Sequence, residues 1–94
     1  MGSLSIQISN IPDINERVYS FDLAGETCLF DVLDAWCAQN APGTLDKIID
    51  PQTRLVAATT LVTVNGRSVK SDDPKTTMAA PGDSIYVTKI IVGG

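Results

Sequence analysis

Hydrophobic and polar residues alternate from the start of the chain: Leu4, Ile6 and Ile8 are separated by Ser5 and Gln7 and followed by Ser9. A period of two marks a strand with one buried face. Ile11-Pro12-Asp13 ends that run, because proline cannot donate to a strand ladder. Tyr19, Phe21 and Leu23 then alternate with Ser20 and Asp22. The two runs predict an antiparallel hairpin with a loop at residues 12–16, closed off by Ala24-Gly25-Glu26.

The period then changes. Leu29, Val32, Leu33, Trp36 and Cys37 fall at i, i+3, i+4, i+7 and i+8, a single apolar stripe along a helix. Thr27 is the expected N-cap, with Glu26 and Asp31 near the positive end of the helix dipole. Asn40-Ala41-Pro42-Gly43 supplies the stop. Leu45, Ile48 and Ile49 suggest one further helical turn before Asp50-Pro51, and Arg54 to Ala58 suggests a short strand.

Leu61-Val62-Thr63-Val64 leads into Asn65-Gly66, a strong hairpin dipeptide, and on to Arg67-Ser68-Val69. Ser71-Asp72-Asp73-Pro74 is loop. Ala80-Pro81-Gly82-Asp83 is a tight turn that launches a last strand from Ser84 to Thr88, before Lys89-Ile90-Ile91-Val92-Gly93-Gly94. Strands and one long helix segregate as in an α+β fold, with the helix on one face of a mixed sheet. No internal repeat or linker divides the chain, so residues 1–94 are expected to form one domain.

Composition narrows the chemistry. The 94 residues carry 7 Lys and Arg against 11 Asp and Glu, a net charge of −4, and no histidine. A Ser-His-Asp triad, a Cys-His pair and any His-ligated metal site are therefore excluded. The acidic balance, with a sequence pI near 4.4, argues against nucleic acid as a partner. Cys28 and Cys37, read as two positions of one helix, would stand roughly 13 Å apart. A disulfide needs Cα atoms within about 7 Å. Unbridged thiols that fill core fit a reducing cytosol. No basic-then-apolar leader opens the chain, and Leu55-Val56-Ala57-Ala58 is far too short to cross a bilayer. The expectation is a cytoplasmic protein that is not an autonomous enzyme, with no membrane partner and no metal of its own.

One candidate for chemistry remains, the terminal Gly93-Gly94. Glycine has no Cβ, so its backbone enters channels closed to other residues. Four extended residues from Ile91 to Gly94 reach roughly 13 Å, at about 3.4 Å each. A carboxylate at such a tip can be offered to another protein's active site, although it must be activated before it becomes an acyl donor. A glycine-rich end also frays.

Taken together, the hairpin, the helix, Val64-Asn65-Gly66, Pro81-Gly82-Asp83-Ser84-Ile85 and terminal Gly93-Gly94 resemble the MoaD/ThiS family of ubiquitin-like β-grasp sulfur carriers. The likeness runs from about Leu4 to Gly94. It implies a mixed four- to five-stranded sheet with one main helix packed on one face. It also implies a carrier rather than a catalyst. A ubiquitin-activating-enzyme-like adenylyltransferase adenylates the terminal carboxylate using ATP, and sulfur from a persulfide donor displaces AMP. The resulting thiocarboxylate then enters a sulfur-accepting synthase. On that reading Gly94 is the acyl and sulfur-bearing residue, Gly93 is the neck, and no cofactor is bound by the chain itself.

Other residues take simpler readings beside this one. The face set by Ile85 and Val87 would turn Lys89 and Ile91 inward, so the alternation is expected to break near Thr88 or Lys89. Some of Ile90, Ile91 and Val92 then becomes exposed as a partner-docking surface, with residues 90–94 as an extended tail. Trp36 reads as core, Asp72-Asp73 as solvated loop, and Arg67 and Lys70 as solvated charge beside a turn. Residues 44–60 are longer than a minimal thiamin-type carrier needs, which favours the larger molybdopterin-type carrier or a metabolic variant. The approach Thr88-Lys89-Ile90-Ile91-Val92 departs from the aromatic or proline-containing approach of that family. Two rivals stay open: a ubiquitin-like modifier that joins Gly94 to lysines, and a β-grasp interaction domain whose Gly-Gly is incidental.

Overall fold

The computed structural model describes residues 2–11, 14, 17–69 and 72–90. Strand β1 (Gly2–Ser9) pairs antiparallel with β2 (Arg17–Leu23), from Gly2 opposite Leu23 to Ile8 opposite Arg17. Leu4, Ile6, Ile8, Phe21 and Leu23 all point into the core, as the period of two requires. The hairpin loop lies mostly outside the described residues.

The helix α1 (Leu29–Asn40) buries Leu29, Val32, Leu33, Trp36 and Cys37, the whole of the apolar stripe. Removing five such side chains from water contributes on the order of 10 kcal/mol, before the entropy of ordering them. The start of the helix differs from expectation. Its cap is Cys28 and makes no side-chain bond, while the Thr27 hydroxyl donates to the Gly25 carbonyl (3.0 Å). The free amides of the first turn find tertiary partners instead. Leu29 N–H donates to the Thr77 carbonyl (2.7 Å) and Phe30 N–H to the Pro74 carbonyl (2.9 Å). A helix start satisfied by a neighbouring turn has no need of a capping side chain.

The pairing that replaces the cap is a second, two-stranded ribbon: β3 (Thr27–Cys28) lies antiparallel to β6 (Met78–Ala79). Cys28 is thus a ribbon residue rather than a helical one, and both Cys28 and Cys37 are free thiols. After α1, the short helix α2 (Leu45–Ile48) supplies the expected single turn. The strand expected over Arg54 to Ala58 is reduced to one bridge between Ile49 and Val56.

The chain then returns to the main sheet. Strand β4 (Thr60–Val64) turns through Asn65-Gly66 into β5 (Arg67–Ser68), and the last strand is β7 (Ser84–Lys89). The sheet order is β2-β1-β7-β4-β5. Strand β7 runs parallel to β1 and antiparallel to β4, so the sheet is mixed and the last strand lies in its centre. α1 covers one face. No helix among the described residues is long and apolar enough to cross a membrane.

Candidate functional site

The terminal segment grows out of the middle of the sheet. β7 is paired on both sides: Thr88 lies opposite Ser9 of β1, and Lys89 lies opposite Thr60 of β4. Pairing continues one residue beyond the strand, where Ile90 N–H donates to the Thr59 carbonyl (2.7 Å). Ile90 is half-buried, so it belongs to the root of the tail rather than to a free tip. Ile91, Val92, Gly93 and Gly94 lie outside the described residues.

The root is itself braced. Thr60 is 1% exposed, and its hydroxyl donates to the Lys47 carbonyl at 2.8 Å, tying the start of β4 to α2. Thr60 N–H also donates to the Ala57 carbonyl (2.9 Å). Nothing in the spacing of Thr59-Thr60 announced this brace, because its partners are backbone carbonyls. Beside the root is a groove of about 290 Å³ lined by residues that include Ile11, Lys47, Thr59, Thr60 and Lys89.

The alternation of buried and exposed positions ends at Lys89, although the ladder itself stays in register through the pair Thr60–Lys89. Lys89 shares the face of Ile85 and Val87 yet is exposed, since the core ends before it does. The lysine stem extends past the last packed layer and its ammonium reaches water.

At the opposite end of β7 the two turn motifs form one hydrogen-bonded unit. Asn65 Nδ2–H donates to Asp83 Oδ1 (3.0 Å), and Ser84 N–H donates to Asn65 Oδ1 (2.9 Å). Asp83 Oδ2 accepts the Ala80 amide (2.8 Å), and Asn65 N–H donates to the Ser84 carbonyl (2.7 Å). Asn65 and Gly66 have φ of 53° and 83°, the left-handed pair that a two-residue hairpin turn needs. Gly82 has φ of 94°, which only glycine adopts without strain. Val64-Asn65-Gly66 and Pro81-Gly82-Asp83 therefore belong together for an architectural reason. They fix where β7 begins.

The remaining candidates carry no chemistry of their own. Trp36 is fully buried and meets Tyr19 edge to face, with ring centres 5.0 Å apart. Arg67 forms a 3.4 Å surface ion pair with Asp72, and Lys70 lies outside the described residues. Asp73 caps its own turn, accepting the Lys75 amide at 2.9 Å. Burial pushes the Cys37 thiol up from its ordinary pKa; the Thr44 hydroxyl beside it opposes this and the Asp34 charge adds to it. A raised thiol is an inert one.

The same arrangement of sheet and helix recurs in solved structures. SAMP1 from Haloferax volcanii superposes with a TM-score of 0.72 at 20% identity, over 99% of this chain and 100% of the other. Urm1 from Trypanosoma brucei gives 0.74 at 14% identity, over 99% and 96%. CysO, in the Amycolatopsis orientalis BexX/CysO complex, gives 0.67 at 18% identity, over 97% and 99%. The fold is a ubiquitin-like β-grasp. It is the expected α+β architecture, with five strands in the main sheet and one principal helix. No family model matches the sequence, and no curated protein does.

Proposed function

We propose that this protein is a sulfur carrier of the MoaD/ThiS type that works through Gly94. An activating enzyme binds ATP and adenylates the Gly94 carboxylate. The outer sulfur of a persulfide donor displaces AMP to form an acyl disulfide. A second thiol attacks the donor-side sulfur of that S–S bond, releases the thiocarboxylate and is left as a disulfide with the donor, and a synthase accepts the sulfur. The observation that carries this reading is the place of β7. It is the central strand, paired with β1 through Thr88 and with β4 through Lys89 and tied at Ile90 to Thr59, so whatever follows starts from a fixed point. Four residues beyond that root can reach roughly 13 Å. Gly93 is the slender neck, and Ile90, Ile91 and Val92 are the contacts offered to a partner.

The fold shared with CysO, which was solved together with BexX, supports a body that presents itself to another protein. Residues 44–60 form α2 and a turn-rich segment rather than a bare connection, and this added structure favours molybdopterin-type over thiamin-type sulfur use. A second reading has its own support. Haloferax volcanii SAMP1 is called a small archaeal modifier protein, and the same activated Gly94 could be transferred to a lysine amine. The two readings share the adenylation step.

Adenylation is therefore the step to test. With a cognate activating enzyme, ATP–pyrophosphate exchange should depend on this protein and vanish when one alanine is appended after Gly94. The absence of exchange with the unextended chain would instead favour a binding domain with an incidental Gly-Gly.

A further inference from the structure

The main sheet has two edges, and they are built differently. One is β5, only two residues long, with Arg67 ion-paired to Asp72 at 3.4 Å. Short length and charge keep a sheet edge from pairing with another chain. The other edge is β2, seven residues from Arg17 to Leu23. It has no proline and no lysine, and its register with β1 runs from end to end without a bulge. Val18 is 60% exposed, so this edge is apolar where a guarded one would be charged.

Neighbouring bonds decide which backbone groups of β2 are free. The Ser3 carbonyl accepts the Gly82 amide (2.8 Å), and Ser5 N–H donates to the Asp83 carbonyl (3.0 Å). Ser3 and Ser5 therefore turn their backbone groups away from β2. Their pairs with Asp22 and Ser20 are the non-hydrogen-bonded ones of the β1–β2 ladder. By the same alternation Arg17, Tyr19, Phe21 and Leu23 bond to β1, while the amides and carbonyls of Val18, Ser20 and Asp22 point outward. None of those six groups has another backbone partner among the described residues.

An antiparallel strand that satisfies this edge must offer the same row of alternating donors and acceptors, and a second copy of β2 does. With a two-fold axis at Ser20, Ser20 pairs with its own counterpart and Val18 pairs with Asp22 of the second copy. Every free group of both edges is then used. Moving the axis to Tyr19 or Phe21 pairs only two of the three residues within β2. The axis at Ser20 also sets Tyr19 against Phe21 and Arg17 against Leu23 on the helix side, so no like charges meet. The joined sheet keeps only its two β5 edges, which are short and charged, so pairing closes at two copies. β7 lies two strands in from the junction, and the two tails leave from opposite ends of the pair.

We propose that β2 is a self-association edge: two copies of this chain pair antiparallel through Val18, Ser20 and Asp22 about a two-fold axis at Ser20. A single strand pair is a small interface, so the dimer is weak and depends on concentration. Sedimentation equilibrium of the full 94-residue protein, from about 10 µM to about 1 mM, should show the mean mass rise from 10.0 kDa towards twice that value. Ser20→Pro removes an outward N–H but no bond to β1, and should stay monomeric over the same range. Ser20→Lys and Ser20→Asp each place like charges across the axis, and each should weaken the dimer at least about threefold. An equimolar mixture of these two should recover it, because opposite charges then meet. Ser20 is exposed, so both charge variants keep the fold and decide the question even if the proline variant does not. A mass that stays at 10.0 kDa, a dimer unchanged by the charges, or a mixture that associates no better than its parts would overturn the proposal. The readout involves no residue of the tail, so its failure is separate from failure of the carrier reading.

Discussion

Replacing Asp83 by alanine removes two acceptors that hold the start of the central strand. One accepts the partly buried Ala80 amide at 2.8 Å, and the other accepts Asn65 Nδ2–H at 3.0 Å on the exposed side. A hydrogen bond to a charged group contributes about 1.5–3 kcal/mol, and one on the exposed side, where water competes for the carboxylate, nearer 0.5. After discounting for partial exposure, the loss should be about 1.5–2 kcal/mol. For a domain of this size each kcal/mol moves the midpoint by about 4–8 °C, so Asp83→Ala should melt about 6–16 °C lower. Thermal and urea unfolding followed by far-UV circular dichroism would measure it. Asn65→Gly supplies the other corner of a double-mutant cycle without straining the positive φ. The two changes should couple by about 0.5 kcal/mol. A midpoint shift below about 2 °C, or strictly additive variants, would refute the claim that the two motifs are one structural unit. The lock is at the far end of β7 from Ile90, so the folded variant should keep its adenylation.

Three other outcomes follow from the same geometry. Burial raises the Cys37 pKa, so the folded chain holds a proton that the unfolded chain releases once pH passes its ordinary value of 9.0. That contribution is silent below this pH and becomes destabilising above it, by at most about 1.4 kcal/mol per pH unit, and Cys37→Ala should flatten the alkaline fall in urea-unfolding stability. In the native protein a thiol reagent should label half-buried Cys28 before buried Cys37, read by mass after partial reaction. Thr60→Val keeps the shape but leaves the Lys47 carbonyl without its hydroxyl donor; it should cost about 1 kcal/mol in urea unfolding and loosen Ile90, read as faster amide hydrogen exchange there.

Where one face of an element is buried, the sequence states the element plainly. Leu4, Ile6 and Ile8 announce β1, and the stripe from Leu29 to Cys37 announces α1, because burial imposes the period. The Asn65-Gly66 turn is equally legible, since few dipeptides accept two positive φ values. Two-residue strands are not. Thr27–Cys28 and Met78–Ala79 are too short to show a period, and the bond from Leu29 to Thr77 that makes a helix cap unnecessary is tertiary. The parallel pairing of β1 with β7 joins the two ends of the chain and leaves no local mark. At the candidate site, Gly93-Gly94 and the apolar approach were visible as composition. The brace at Thr60 was not, because a threonine bonding a distant carbonyl reads like any other threonine. A groove lined by Phe30, Ile49, Arg54 and Lys75 depends on how α1, α2 and two turns converge, which no spacing encodes.

The central claim is that the reactive group is the backbone carboxylate of Gly94. Incubating the protein with its activating enzyme, ATP and a sulfide source, then measuring intact and C-terminal-fragment masses, tests it directly. The account predicts a gain equal to one oxygen-to-sulfur replacement, located on the fragment ending in Gly94 and absent from a chain lacking that residue. An unchanged terminal fragment, under conditions where a known carrier is converted by its own enzyme, would contradict it.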